Sequence, residues 1–342
     1  AGEQPRLFFF FNDAATTEIY TTGAGAVELN EGWVEITKPE NFRCPRSVLS
    51  VINAIRAKDD GLEQTRGRTK KVDGVDQPVV GTANLFIFPA DEQRTARLSA
   101  VRAWLAAEAE DDLWLSDLRD GDVRLLVLVH RMAAIRLGFP TLYAALNDKA
   151  PDSLSEGLND GTAWPLRPFT QQILPLVIAA REGDRFTVMS IIRDASPALE
   201  PDRLKRQAAA PVLAALQQAI EELVAMLADG SAATVKDVLR HVGSKELLRL
   251  DDRFGAHLVA EPVDDGSSGF ANVQAYLQCG VAELWAHRRY AIEESPFATH
   301  HGVKGAQFER VLVVIDDEEG AHRQYSYGKY FGYLPLSETD EA

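Results

Sequence analysis

The pattern of apolar and polar positions divides the first part of the chain into short apolar stretches and longer amphipathic ones. Short stretches at residues 33–36, 85–88 and 123–129 are typical of strands, because branched and aromatic side chains dominate them. Apolar positions recur at helical spacing over residues 48–55, 98–105 and 132–146. This alternation predicts an α/β domain built on a parallel sheet. The charged, glycine-rich residues 58–77 predict a loop.

The pattern becomes purely helical from about residue 148 to residue 294. Apolar residues form one stripe from Leu213 to Leu227, and a further helix is predicted over residues 272–292. Thr234 and Asp237 have the spacing of a capping box before another apolar helix. A strand pattern returns at Val311–Ile315. The sequence therefore predicts a discontinuous α/β domain, residues 23–147 and 295–342, with an inserted all-α subdomain at 148–294.

The beginning of the chain has an unusual composition. Residues 12–21 closely resemble the translation of a common sequencing-library adapter, which favours the interpretation that residues 1–22 are not native. The alternative is a natural strand and turn. We assign no function to residues 1–21.

Two polar segments flank the helical block and contain the candidate chemistry. The first, residues 38–45, contains Asn41-Phe42-Arg43 between a predicted strand and a predicted helix. The second, residues 299–308, is a lysine loop with flanking glycines, and it precedes the apolar run 311–315. A polar loop attached to a buried strand is typical of a functional loop in α/β proteins.

These segments resemble motifs IV (typically N-Y-R-S) and V (T-x-H-x-x-K-G-x-E-F) of the UvrD/Rep group of superfamily 1 DNA helicases. Residues 125–131 are similar to the intermediate motif IVa, so the motif order also agrees. The resemblance covers about Trp33 to Leu336. It implies a RecA-like second motor lobe of the P-loop NTPase helicase type, with an inserted helical subdomain. It also implies ATP-driven movement on single-stranded DNA and unwinding of duplex DNA, 3′ to 5′, in repair or recombination.

The resemblance implies nucleotide contacts from both segments. Phe42 would stack on the adenine, and Arg43, the candidate catalytic residue, would reach the γ-phosphate with a rigid, permanently charged fork. Taken alone, the Arg43 turn is more typical of an arginine that bonds local carbonyls. Gly305 and Gln307 would line the nucleotide cleft. The family usually has Glu at the position of Gln307, so a hydrogen bond remains available there but the charge does not.

The same resemblance places Thr299, His301 and Lys304 beside the DNA backbone, with Lys304 at the junction of the DNA track and the cleft. Short polar side chains and backbone N–H groups hold phosphates without reading bases. His130 and Arg131 are further DNA candidates. Their alternative interpretation is a strand end with solvated charges. No metal site is expected at His300-His301, because no third ligand has suitable spacing.

ATP and Mg²⁺ are expected to be held mainly by another lobe, because no G-x-x-x-x-G-K-[ST] phosphate loop occurs in the sequence. Residues 313–318 look like a Walker B strand with its acids, but Glu318-Glu319-Gly320 agrees better with the acidic turn that follows motif V. Gly23-Ala24-Gly25 is not interpreted as a nucleotide site. We expect a Walker A lobe before residue 1 and motif VI after Ala342. The chain would then be a fragment, truncated at both ends and inactive on ATP alone.

Composition adds constraints on partners and location. The net charge of −15 argues against a protein that coats nucleic acid over its whole surface, but it leaves a local basic groove open. The early apolar run Leu7–Phe11 is too short for a signal peptide, and no membrane partner is expected. The two cysteines, Cys44 and Cys279, do not make a disulfide framework, which favours a cytoplasmic location.

Other classes of protein remain open at this point. The chain can be a non-catalytic DNA-binding or adaptor protein built on a helicase lobe. It can also be the helicase part of a RecB/AddA-like helicase–nuclease, or of a phage-defence system. Protein partners, DNA substrate and oligomeric state are not indicated by the sequence.

Overall fold

The computed structural model describes residues 39–57, 61–89, 91–117, 123–205, 208–259, 261–262, 264, 266, 268–292, 295–299, 303, 306–316, 319, 329, 332 and 335–337, and the backbone of 5–11. The chain separates into two compact units. Unit 1 comprises Ala1–Met132 and Ser295–Ala342, and unit 2 comprises Ala133–Glu294. The protein is therefore of the mixed α/β class, with a helical segment inserted into a discontinuous α/β unit.

Unit 1 contains the strands and two of the helices. The strands are β1 (Pro5–Phe11), β2 (Glu40–Asn41), β3 (Thr65–Arg66), β4 (Thr69–Val72), β5 (Val75–Pro78), β6 (Leu85–Pro89), β7 (Val123–Val127), β8 (Phe297–Thr299) and β9 (Arg310–Val314). The helices are α1 (Arg46–Arg56) and α2 (Arg94–Ala109), and α3 (His130–Leu137) lies at the boundary with unit 2. The predicted strand at 33–36 lies outside the described residues.

Five of these strands form the main sheet, in the order β6-β1-β9-β7-β8. β7 runs parallel to β8 and β9, whereas β1 runs antiparallel to β6 and β9. The expectation of a parallel sheet is therefore wrong at β1, which comes from the segment interpreted as non-native. A short apolar run contains no information about strand direction, because a period of two is the same in both directions.

Two neighbouring strands of the main sheet, β7 and β9, are largely buried. Four of the five residues of β7 are buried, as are three of the five of β9, which agrees with strands covered on both faces. At the end of the sheet formed by β6, the Phe86 ring packs edge-to-face on the Trp104 ring of α2, with ring centroids 5.1 Å apart. Because β6 and β9 are both antiparallel to β1, the carboxyl ends of β6, β7, β8 and β9 lie at the same edge.

The described residues of unit 2 contain helices, short 3₁₀ and π turns, the loops between them, and one isolated β-bridge between Thr234 and Gly280. Its helices are α4 (Pro140–Asn147), α5 (Asp152–Ser155), α6 (Leu174–Glu182), α7 (Arg185–Ala195), α8 (Pro201–Leu204), α9 (Ala209–Met226), α10 (Val235–Ser244), α11 (Gly255–Leu258), α12 (Phe270–Leu277) and α13 (Val281–Ala291). The capping box of Thr234 and Asp237 is confirmed at the start of α10. Among the described residues, no helix combines the length and apolar character that crossing a bilayer requires.

Unit 2 begins at Ala133, earlier than residue 148, where the sequence pattern changes. The physical reason is the attachment of α4 to α13. The Glu283 carboxylate accepts hydrogen bonds from the Thr141 hydroxyl and from the Leu142 N–H, the latter at 2.8 Å. These bonds satisfy donors at the start of α4 that its own first turn leaves unpaired. The cap comes from a residue more than a hundred positions later, so no local pattern indicates it.

Candidate functional site

The Asn41 side chain organises the first candidate segment. Its Oδ1 accepts hydrogen bonds from the N–H groups of Arg43 (2.9 Å) and Cys44 (2.8 Å). Its Nδ2 donates to Gln64 Oε1 at 2.7 Å. Asn41 is buried, so these bonds form away from competing water. The turn that presents Phe42 and Arg43 is therefore fixed by one amide group.

Phe42 and Arg43 lie on the accessible side of this turn. Phe42 is 65% exposed, which is unusual for an aromatic residue next to a buried strand end. The guanidinium carbon of Arg66 lies 5.1 Å from the centre of the Phe42 ring, in a cation–π arrangement. Arg43 is half-buried. The guanidinium that the structure places against the Phe42 ring is therefore that of Arg66, while Arg43 follows Phe42 in the same turn.

The amino terminus of α1, just after this turn, is occupied by protein. The N–H groups of Arg46 and Ser47 donate to the carbonyls of Val79 and Val80, each at 3.0 Å. Free N–H groups at a helix amino terminus often bind phosphate. Here two of them are already bonded, so a phosphate at this place would depend on side chains such as that of Arg43.

Arg68 connects the two candidate segments within unit 1. Its backbone N–H donates to the Cys44 carbonyl at 2.8 Å. Its guanidinium makes a two-point bond to the Glu309 carboxylate, with N–O distances of 3.0 and 2.7 Å. Cys44 directly follows Arg43, and Glu309 lies two positions after Gln307. One residue that sequence analysis did not single out therefore joins the turn of Arg43 to the end of the lysine loop.

The Arg68–Glu309 pair should contribute stability that depends on pH. The hydrogen bond from Arg68 lowers the pKa of Glu309 from its ordinary value of 4.5, against the opposing effect of burial. A lowered folded-state pKa means that the pair stabilises above about pH 4.5 and that this contribution is lost as the pH falls through the lowered value. Both side chains are partly exposed, at 31% and 47%, so we expect a coupling of only about 0.5–1 kcal/mol.

A double-mutant cycle with Arg68→Ala and Glu309→Ala measures this coupling by urea unfolding at neutral and acidic pH. Arg68→Lys is the matched control, since it keeps the charge but loses the two-point geometry. An equal coupling energy at both pH values would contradict the ion-pair interpretation.

The candidate DNA residues described by the structure lie at the carboxyl edge of the sheet. Thr299 ends β8 and is paired in register with Val127, the last residue of β7. His130 and Arg131 begin α3, separated from the end of β7 by two residues, and both are half-buried. Burial lowers the pKa of the His130 imidazole. His130 is therefore predominantly neutral at pH 7, which leaves it as a hydrogen-bonding group rather than a cation.

Gln307 lies at the opposite edge. It precedes β9, whose first residue, Arg310, pairs with Val123 at the beginning of β7. Five-residue strands separate the two edges by about 16 Å. The lysine loop thus leaves the sheet at the carboxyl edge, after Thr299, and re-enters at the amino edge, where Glu309 meets Arg68. The structure brings Thr299, His130 and Arg131 to one edge. Exposed Gln307 precedes the other edge, two positions before Glu309, which Arg68 links to the turn of Arg43.

Apolar contacts fix the path of the loop between these edges. Val303 is buried against Leu126 and Val311, and Ala306 and Phe308 pack on the same cluster. The guanidinium of Arg124 on β7 lies 4.9 Å from the Phe308 ring centre. These contacts hold the loop on both sides of Lys304 and Gly305. Lys304, Gly305 and His301 themselves lie outside the described residues.

The acidic residues after β9 participate in an ion pair. Asp316 is 4% exposed and accepts a hydrogen bond from Arg94 Nε at 2.8 Å, and Glu319 lies 4.0 Å from the same nitrogen. Arg94 opens α2, which follows β6, so this pair also lies at the carboxyl edge. A carboxylate bonded to an arginine in this way serves structure. Glu318 and Gly320 lie outside the described residues.

Among the residues that sequence analysis did not assign, Asn41, Arg68 and Glu309 have the clearest structural roles at the site. The signal for Asn41 was available, since Asn before a turn commonly bonds backbone N–H groups further along. No sequence signal indicates the Arg68–Glu309 pair, whose partners are far apart in the chain.

The fold and the site define a mixed α/β protein with an inserted helical unit and two polar segments that meet through Arg68. Comparisons of the chain with protein-family models, with curated proteins and with solved structures found no match.

Proposed function

We propose that the chain is the second, RecA-like lobe and the inserted helical subdomain of an ATP-dependent DNA helicase or translocase of the UvrD/Rep type. The observation that supports this proposal most is that Arg68 bonds both the Cys44 carbonyl and the Glu309 carboxylate. It brings the turn of Phe42 and Arg43 next to the end of the loop that contains Gln307, as a nucleotide site built from both segments requires.

Within this proposal, one edge of the sheet binds the nucleotide and the other binds the DNA. Phe42, Arg43, Gly305 and Gln307 serve the nucleotide: Phe42 supplies a face for the adenine, and Arg43 neutralises negative charge that develops on the γ-phosphate. Gln307 donates or accepts a hydrogen bond at the sugar. ATP and Mg²⁺ are held mainly by a first lobe, which supplies the phosphate loop.

The carboxyl edge serves the DNA. His301 and Lys304 contact the backbone of a single strand. Thr299 is buried at the end of β8 and holds the start of this loop, with His130 and Arg131 beside it. Because the loop runs from this edge to the nucleotide edge, displacement of the DNA and the closure of the nucleotide cleft act on the two ends of one anchored segment. Such a segment couples ATP hydrolysis to movement along single-stranded DNA and to the opening of duplex DNA.

The proposal predicts that the 342-residue chain alone hydrolyses ATP at background rate, because a single lobe forms only one wall of the site. The test compares it with the longest polypeptide encoded in the same reading frame, in a coupled ATPase assay with and without single-stranded DNA. The longer polypeptide should show DNA-stimulated turnover. Robust turnover by the 342-residue chain, or none by the longer polypeptide, would contradict the proposal, and the second result would favour an adaptor.

A further inference from the structure

The Arg66 guanidinium lies over an aromatic ring. Its central carbon is 5.1 Å from the centre of the Phe42 ring, which is a cation–π distance. Arg68, two positions later, is used differently, because its guanidinium bonds the Glu309 carboxylate at two points. The nucleotide residues assigned under the proposed function do not include Arg66, so the contact between Arg66 and Phe42 needs its own explanation.

The backbone of Arg66 is bonded to the turn that presents Phe42. Arg66 of β3 pairs in register with Asn41 of β2, the residue that precedes Phe42. The N–H of Gly67 donates to the Asn41 carbonyl at 2.8 Å. The position of the guanidinium over the ring is therefore set by the pairing of β2 with β3, and not by the long arginine side chain alone.

The backbone conformation of Arg66 is strained. Its φ is 75°, in the left-handed region that residues with a Cβ rarely adopt. This conformation costs more free energy than a cation–π contact at an exposed site returns, and Arg66 is exposed. A glycine would adopt it at little cost. The stability of the folded chain therefore does not account for an arginine here, and strained residues of this kind cluster at ligand-binding sites.

The Phe42 ring has surface left for a ligand. Although Arg66 lies over one face of the ring, 65% of Phe42 is exposed. The faces of an aromatic ring are electron-rich. A guanidinium over one face draws that density towards itself, which reduces the repulsion between the other face and the π-electrons of a stacked nucleobase. The pair of Arg66 and Phe42 thus suits a planar ring better than Phe42 alone.

We infer that Arg66 is a positioning residue for the nucleotide base, with its guanidinium, the Phe42 ring and the adenine ring forming one stack. The inference rests on the proposed function, which brings an adenine nucleotide to Phe42, and it adds a residue to that site. Arg66 acts through Phe42 and touches neither the phosphates nor the DNA. Its effect is therefore on binding of the base and not on the chemical step.

The experiment uses the 342-residue chain and two probes, adenosine 5′-monophosphate and ribose 5-phosphate, which lacks the base. Saturation-transfer NMR shows which protons of a weakly bound probe contact the protein, and a titration gives its affinity. The variants are Arg66→Gln, which removes the charge, and Arg66→Gly, which also removes the backbone strain. Arg46→Gln is the matched control, because Arg46 is an exposed arginine just after the same turn and loses the same charge.

In the unsubstituted chain, saturation should reach the adenine protons more strongly than the ribose protons. Both Arg66 variants should bind adenosine 5′-monophosphate about fivefold more weakly, the loss expected for one cation–π contact, without a comparable loss for ribose 5-phosphate. Arg66→Gly should nevertheless be at least as stable as the unsubstituted chain in urea, because glycine relieves the positive φ. A purely structural role of Arg66 would not separate stability from base binding in this way. Arg46→Gln should keep the affinity of the unsubstituted chain.

Four results would overturn the inference. They are no saturation of the adenine protons by the unsubstituted chain, unchanged affinity in both Arg66 variants, an equal loss in Arg46→Gln, and an equal loss for ribose 5-phosphate, which would assign Arg66 to the phosphate. The proposed function fails separately, because it is measured by DNA-stimulated ATP turnover of the longer polypeptide. Base stacking without such turnover would reject the helicase and keep the role of Arg66, and turnover without stacking would do the reverse.

Discussion

Replacement of Arg43 by Ala, in a polypeptide that also contains the phosphate-loop lobe, should lower ATP turnover by about 10³-fold. The reason is electrostatic: a guanidinium aimed at the transferring phosphoryl group stabilises charge that is larger in the transition state than in bound ATP. The affinity for single-stranded DNA without nucleotide should change little, because Arg43 is proposed to contact the nucleotide and not the DNA. Steady-state turnover and DNA anisotropy measure the two effects separately.

Arg46→Ala is the matched control for this result. Arg46 is an exposed arginine three positions later, at the first turn of α1. Its replacement therefore tests whether any loss of positive charge near this turn lowers ATP turnover. We expect its turnover to stay close to that of the unsubstituted protein. Equal loss in both variants, or unchanged turnover in Arg43→Ala, would remove the catalytic role of Arg43.

Replacement of Asn41 by Ala should destabilise unit 1 by about 2–4 kcal/mol. Asn41 is buried, and its loss leaves the N–H groups of Arg43 and Cys44 and the side chain of Gln64 without the partner that they now share. Urea unfolding measures the change in free energy. Hydrogen exchange at residues 43 and 44 should accelerate strongly, because both amides lose the oxygen that protects them.

Asn41→Asp provides the control. An aspartate keeps an oxygen that accepts from both N–H groups, but it loses the donor to Gln64 and adds a negative charge at a buried position. We therefore expect a smaller loss than for Asn41→Ala and retained protection at residues 43 and 44. If both substitutions cost the same, the oxygen is not what fixes the turn, and the account of how Phe42 and Arg43 are presented would be wrong.

Strong local patterns were sufficient to predict much of the fold. The stripes at residues 48–55 and 98–105 became α1 and α2, and the apolar runs became β6, β7 and β9. The mixed α/β class is confirmed. The RecA-like character of the lobe stays a proposal, because it depends on a resemblance in two short segments.

The differences from prediction arise where one residue or a distant partner decides the structure. The predicted helix at 132–146 is two helices, α3 and α4. Gly138 takes a φ of 88° between them, and Phe139 is almost fully buried before Pro140 opens α4. The predicted loop at 58–77 contains β3, β4 and most of β5. The pair Asp73-Gly74 was a usable hairpin signal, but the surrounding charge concealed it.

The candidate site shows the same limit. Phe42, Arg43 and Thr299 could be singled out from their segments, because each motif is local. The contact between those segments could not be predicted from the sequence, because Arg68 and Glu309 are brought together only by folding. The separation of Gln307 from Thr299 across the sheet also depends on strand direction, which residue periodicity does not encode.

The position of β9 has a consequence for how the chain acquires its structure during synthesis. β9 lies between β1 and β7 in the sheet order, yet it is the last of the three to leave the ribosome. All of unit 2 is synthesised before it. The first strand must therefore wait, without its partner on that side, while more than two thirds of the chain emerges. Pairings of such long range make folding slow, and an apolar strand that has β6 but not β9 beside it for this time exposes an edge that a chaperone can bind.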